Sequence, residues 1–270
     1  MKKNISLEFG GFALIEYLLS KGSFPKNFKV LDIGGALGNH CKVMRYFGLC
    51  VDTIDKYEKK AEFIGDFNSF VFNSKYDMIF CSHVIEHQRN QGIFLDKIFD
   101  LLNDDGDLVI SGPNHPAQRF VEGHIASTIL PIFLQILIYS GFDCKNGKMM
   151  SLSNIENSFI VKKDPNFNLN ERLESGYKWT HKHQNRSPID LKTGFQIIND
   201  LLYLQNCEIL ELVFNSKNNK EVLGIKLNYP SKYVMKNLTL KINTFNNFFI
   251  FDDNFNDYKF IDSSYVELNL

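Results

Sequence analysis

Asp32 sits near the end of an apolar run, Val30-Leu31-Asp32-Ile33, with Gly34 and Gly35 directly after it and Gly38 just beyond. A carboxylate at a strand end, then glycines, lets the backbone wrap a ligand with a positive end and a sugar. Without Cβ, glycine admits close approach and positive φ. A nicotinamide-binding turn is different in kind, because it needs G-x-G-x-x-G opening a helix over a pyrophosphate. Counted from Gly34, Asn39 stands where the last of those glycines belongs. Asp32 would also repel a diphosphate, so the turn suits a zwitterionic, cationic cofactor. A second acid, Asp55, lies about 20 residues beyond the turn, where doubly wound sheets place the carboxylate that meets two ribose hydroxyls. Asp52 is the weaker choice because it sits inside the same strand. Asp66 and Phe67, after Gly65, pair an acid with an aromatic ring, a combination suited to an adenine amine and face.

Histidine is the natural acceptor if an alcohol has to shed a proton near neutral pH. His83 and His87 follow the apolar run 76–81, and His115 and His124 follow the run 108–110. These positions fall at the carboxyl ends of parallel strands, the rim where such sheets bind ligands. His115 and His124 rank first as general bases and His87 third. Ser82, next to His83, belongs to the same rim.

The elements that must hold these residues alternate. Residues 30–33, 50–55, 76–81 and 108–110 read as buried strands, with a short apolar run before Gly65. Residues 12–19, 39–47, 91–102 and 129–140 have helical spacing, and Gly141 is a helix stop. Two helix-strand-strand sets compete to close the sheet. One is 129–140, 142–148 and 158–163; the other is 191–204, 207–214 and 222–229. The first is preferred, because Gly123-His124 follows the fifth strand at the right distance. Residues 165–270 then form an extension with a helix and β-strands, whose tail from 245 is aromatic and turn-rich.

VLDIGGALG, the acid at Asp55, GDF, YDMIFCSHVIEH and DDGDLVISGPNH, in that order, resemble a class I S-adenosylmethionine-dependent methyltransferase. HVIEHQRNQGIFLDKI and GHIASTILPIFLQILIYSGFD resemble a bacterial branch often found with carbohydrate-modifying genes. The likeness spans about residues 28–164. It implies a Rossmann-like, doubly wound, seven-stranded, mostly parallel α/β sheet in residues 1–164. It also implies S-adenosylmethionine as cofactor and S-adenosylhomocysteine as product. By position, Asp32, Gly34, Gly35 and Gly38 would face the methionine part and Asp55 the ribose. Asp66 with Phe67 would flank the adenine, and Ser82 with His83 would line the methyl-transfer pocket. The chain departs from the family pattern twice. Ala36 replaces a middle glycine, and the stretch between Asp55 and Phe63 is too short for a full crossover helix.

The acceptor implied is a small-molecule hydroxyl, foremost a sugar or nucleotide-activated sugar of surface (capsular) polysaccharide synthesis. A quinol or other small aromatic hydroxyl is the runner-up. A net charge of −1 gives no broad electrostatic surface for nucleic acid. Five dispersed cysteines without a C-x-x-C pair fit a reduced, cytoplasmic protein. Glu8 and Glu16 interrupt the apolar N-terminal stretch, which argues against a signal peptide. The apolar run 129–139 is too short to span a bilayer. The extension is expected to shape a substrate mouth or a contact between copies in a homo-oligomer. His83-Val84-Ile85-Glu86-His87 also matches the inverted zinc-protease pattern H-x-x-E-H, which would make a zinc hydrolase of His83, Glu86 and His87 if both histidines shared a helix face. Here His83 abuts a strand end, so no metal is assigned. The H-x-H pair His181 and His183, near Trp179, offers too few ligands to argue a site.

Overall fold

The computed structural model describes residues 2–7, 9–21, 23–35, 38–116, 118–127, 129–152 and 156–168. Beyond these it describes the strands at 209–215, 222–228, 238–243, 247–251 and 257–258. A seven-stranded sheet carries the motifs. Its strands are β2 (Lys29–Ile33), β3 (Cys50–Asp55), β4 (Phe63–Ile64), β5 (Tyr76–Ser82), β6 (Leu102–Pro113), β7 (Phe142–Leu152) and β8 (Glu156–Lys163). Their order is β4-β3-β2-β5-β6-β8-β7, and β8 alone points opposite to the other six. This is the expected Rossmann-like sheet, closed by the first of the two candidate sets.

Alternation along each strand sends side chains to two cores. Val30, Met78, Phe80 and Val109 face α1 (Gly11–Lys21) and α2 (Asn39–Tyr46). Leu31, Ile33, Ile79, Cys81, Leu108 and Ile110 face α3 (Gln91–Leu101) and α4 (Leu130–Tyr139). Strands covered on both faces read as continuous apolar runs, which is why the sequence shows them so clearly. The Asn90 side chain caps α3 by accepting from Ile93 N at 3.1 Å. Tyr17 of α1 donates to Asp107 Oδ2 at 2.8 Å, and Lys21 pairs with the same oxygen at 2.9 Å. These contacts pin α1 to β6.

Two features differ from the sequence reading. Residues 103–106, read as the turn after α3, already belong to β6; the register jumps from Tyr76↔Leu102 to Met78↔Asp107, so they bulge from the ladder. No full helix follows β3, as the sequence reading expected from the short connection. Finally, residues 2–7 form a strand, β1 (Lys2–Leu7), that the local pattern did not announce. It pairs in parallel with β10 (Val222–Asn228). A second sheet of order β1-β10-β9-β11-β12-β13 results, with β9 (Ile209–Asn215), β11 (Leu238–Asn243), β12 (Asn247–Phe251) and β13 (Asp257–Tyr258). Leu7 is nonetheless buried in the core beneath α1. The expected helix at 191–204 and the segment with Trp179, His181 and His183 lie outside the described residues.

Candidate active site

The order of strands reverses between β2 and β5, and the crevice at their carboxyl ends is where doubly wound sheets bind ligands. Gly34 leaves β2 with φ +73, and its N–H donates to Ile54 O at 2.8 Å, fastening the turn to β3. A Cβ there would stand 2.5 Å from Val84 Cγ2. At Gly35 a Cβ would meet Asp32 Oδ2 at 3.0 Å, so the carboxylate lies directly against the turn. Gly38, φ +69, is the N-cap of α2, and no described atom comes within 4 Å of where its Cβ would be. That side of the turn is open. Ala36 and Leu37 lie outside the described residues.

Asp32 is 1% exposed, and its Oδ2 has no hydrogen-bond partner among the described residues. Burial, reinforced by the charges of Asp55 and Glu62, pushes its carboxyl up to about 7. A cationic group in the crevice would restore its charge and give the orphaned oxygen a donor. The residues present therefore fit a ligand with an ammonium or sulfonium end. Asp55 ends β3, one strand away. Its Oδ1 accepts from Tyr57 N at 2.8 Å and Glu58 N at 2.9 Å, which fixes the carboxylate at the strand tip.

Asp66 lies farther along the same edge. Asn68 N and Lys56 Nζ donate to its two oxygens and hold its carboxyl below the usual range. Phe67 is buried, packed edge-on to Phe94 at 5.2 Å with Lys97 Nζ 5.1 Å from its ring centre. Its ring packs in the core with α3, leaving little of it exposed.

Ser82 and His83 end β5. Ser82 Oγ donates to Phe9 O at 2.8 Å, tying the chain before α1 to the rim. His83 has φ +52, left-handed and uncommon for a non-glycine residue. Its Nδ1 lies 3.3 Å from Glu86 Oε1 and its Nε2 lies 3.0 Å from Glu156 Oε2. Burial alone would lower this imidazole, but the hydrogen bond to Glu156 and the ion pair with Glu86 outweigh it and carry it to about 9. Glu156 Oε2 also accepts from Gly10 N at 2.8 Å. Glu156 escaped the sequence reading. It opens an antiparallel strand with no motif around it, and its partners are 73 and 146 residues away.

The other three histidines converge. His87 Nδ1 is 2.8 Å from Gly123 O, His115 Nδ1 is 3.0 Å from Pro116 O, and His115 Nε2 is 3.1 Å from His124 Nδ1. The His87 and His124 rings stand edge to face at 5.1 Å. Desolvation lowers His124 from its ordinary range, which favours the neutral ring a proton acceptor needs. Backbone bonds from Ile125 N and Ala126 N to Glu86 O hold this loop against the single 3₁₀ turn Ile85–His87. The H-x-x-E-H residues do not share a helix, because His83 is left-handed and only that one turn follows. The zinc-protease geometry is therefore not formed.

Residues 11–157 match a family model described as a methyltransferase domain. No curated protein matches the chain. Among solved structures, it is similar to a SAM dependent methyltransferase from Archaeoglobus fulgidus, at 15% identity and TM-score 0.46, over 57% of this chain and 94% of that one. It is also similar to a 1,6-didemethyltoxoflavin-N1-methyltransferase from Burkholderia thailandensis, at 15% identity and TM-score 0.47, over 57% and 77%. A phosphoethanolamine N-methyltransferase 2 from Haemonchus contortus aligns at 15% identity and TM-score 0.46, over 56% and 52%.

Proposed function

The chain belongs to the methyltransferase-domain family, and from that premise we propose that it methylates a hydroxyl of a small molecule, foremost a sugar, using S-adenosylmethionine. One observation carries the reading. Asp32 presents a buried carboxylate with an orphaned oxygen against a glycine turn, next to Asp55 on the adjoining parallel strand. A scaffold gains nothing from that arrangement, since burying an unpaired carboxylate is costly.

Bound in the crevice, S-adenosylmethionine supplies a methyl group already activated on a sulfonium. The chain's own residues have three tasks. Asp32 neutralises the cationic end, and the open face at Gly38 admits it. Asp55 accepts hydrogen bonds from the ribose, and Asp66 marks the adenine end of the same edge. At the rim, alignment of the acceptor accounts for about 7–11 kcal/mol of barrier. His115, His124 and His87 are the groups that deal with the acceptor's proton, a role worth about 10²–10⁴-fold.

The catalytic unit is assigned to residues 1–164. Residues 165–270 are assigned to a substrate mouth or a contact between copies, and the compartment to the cytoplasm. Among the described residues no helix is long and apolar enough to cross a membrane. The test is calorimetric titration with S-adenosylhomocysteine, followed by methyl-transfer assays on a panel of nucleotide-activated sugars. Absence of heat with S-adenosylhomocysteine sinks the assignment, and turnover on aromatic hydroxyls alone removes the sugar.

A further inference from the structure

Glu86, His87 and His124 each bring one ligand atom to a common point on the rim, all within 4.8 Å of one another. Hydrogen bonding shows that this convergence is built. Glu86 is 2% exposed, and beyond the ion pair of Oε1 with His83 neither carboxylate oxygen has a hydrogen-bond partner among the described residues. The basic groups near it are His83 Nδ1 at 3.3 Å and His87 Nε2 at 3.8 Å from Oε1. His87 Nδ1 must carry a proton to meet Gly123 O at 2.8 Å. In the neutral ring that leaves the Nε2 lone pair facing a carboxylate oxygen, which is repulsive unless a proton or a metal cation lies between them.

The second imidazole is oriented by a relay. His115 Nδ1 donates to Pro116 O, so His115 Nε2 accepts, and His124 Nδ1 is its donor at 3.1 Å. Nε2 is then the lone pair of His124. Metal-binding histidines are held this way, with one ring nitrogen donating outward so that the other can ligate. Two imidazoles and one carboxylate suit first-row divalent ions such as Zn²⁺, Mn²⁺, Fe²⁺ and Co²⁺ better than Mg²⁺ or Ca²⁺.

We propose that Glu86, His87 and His124 bind one such divalent cation, with His115 as the positioning residue for His124. Bonds of about 2.0–2.2 Å require the ligand atoms to draw in by roughly an ångström at the widest. The 44% exposed side chain of His87 has room to make that move. Three protein ligands leave positions open for an oxygen donor. Under the methyltransferase reading, on which this last point rests, that donor is the acceptor hydroxyl. Nε2 of His124 cannot serve a cation and act as free base at once, so the site decides how the rim treats the proton.

The experiment uses the full chain, stripped with a chelator and titrated with Co²⁺, whose visible absorption reports its ligands, then with Zn²⁺ and Mn²⁺ by calorimetry. One cation per chain is expected. His87→Ala, His124→Ala and Glu86→Gln should each weaken it about tenfold or more, and His115→Ala by about 10–100-fold, the usual range for an orienting partner. Should Glu86→Gln misfold, exposed His87 still decides. Failure to saturate with Co²⁺, or affinity unchanged in both His87→Ala and His124→Ala, overturns the proposal. S-adenosylhomocysteine titrated into the same samples separates the two readings. Cobalt binding without nucleoside binding keeps the cation site and removes the methyltransferase assignment, and the reverse outcome does the opposite.

Discussion

Asp32→Asn should make the protein more stable and less able to bind its cofactor. The carboxyl is raised from 3.8 to about 7 by burial. A rise of that size is roughly a thousandfold in proton affinity, or about 4 kcal/mol held against the folded state wherever the group is ionised. Because the folded value is the higher one, the burden is absent below the unfolded value, grows as pH rises, and is complete above the folded value. Asparagine keeps the shape and removes the charge, but its amide inherits the missing partner at a cost of about 1–3 kcal/mol. The net gain is then about 1–3 kcal/mol, or roughly 2–10 °C in Tm for a domain of this size. Thermal melts followed by circular dichroism at about pH 5 and pH 8 would show the gain growing with pH. His40 titrates over the same range with the opposite sign, because burial holds its imidazole neutral down to about 4. It is common to both proteins and cancels in their difference. S-adenosylhomocysteine should bind roughly ten- to a hundredfold more weakly, the worth of a hydrogen bond to a charged group. A gain equal at both pH values would refute the electrostatic argument. Unchanged affinity would remove Asp32 from the cofactor site.

Asp55→Ala should weaken S-adenosylhomocysteine by about 1.5–3 kcal/mol, the worth of hydrogen bonds to a charged acceptor; equal titration curves would move the ribose elsewhere. His115→Ala and His124→Ala should lower kcat by about 10²–10⁴-fold with little change in cofactor affinity, and full turnover in both would clear them of any part in the chemistry. Gly34→Ala puts a methyl 2.5 Å from Val84 Cγ2 at φ +73, so it should destabilise more than Gly38→Ala, which meets no described atom and adds only about 1–2 kcal/mol of backbone strain. Melts reversing that order would count against the turn geometry. Tyr17→Phe removes the 2.8 Å bond to Asp107 far from the crevice, and should cost about 1–2 kcal/mol of stability while leaving S-adenosylhomocysteine affinity unchanged.

The sequence exposes most of this fold because the strands are covered on both faces and the turns are glycine-led. Val30, Leu31 and Ile33 have to be apolar throughout, and Gly34 has to be glycine with Val84 so close. Both are local requirements, written in a few adjacent residues. The features that stayed hidden are long-range. β1 is a short strand whose partner, β10, lies at the far end of the chain. Glu156 matters only because the antiparallel strand brings it under Gly10 and beside His83. The convergence of Glu86, His87 and His124 depends on the loop 123–126 folding back onto one 3₁₀ turn. The letters H-x-x-E-H were visible, but their meaning changed once His83 took a left-handed backbone and left the helix.

The buried acids follow a pattern that bears on the choice between scaffold and site. Asp107, away from the crevice, is matched by Tyr17, Lys21 and Lys162. At the carboxyl rim, Glu156 is matched by Gly10 N and His83, whereas Asp32 Oδ2 has no partner among the described residues and Glu86 has only ion-pair contacts with His83 and His87. For Asp32 the cost when ionised, about 4 kcal/mol, exceeds the roughly 1.5–3 kcal/mol that burial of a Val or Leu side chain returns. The acid oxygens left without hydrogen bonds lie at the edge where parallel sheets bind ligands, and a donor or a cation would meet each. Under the proposed function a ligand's positive end would meet Asp32, and under the proposed cation site a divalent ion would meet Glu86.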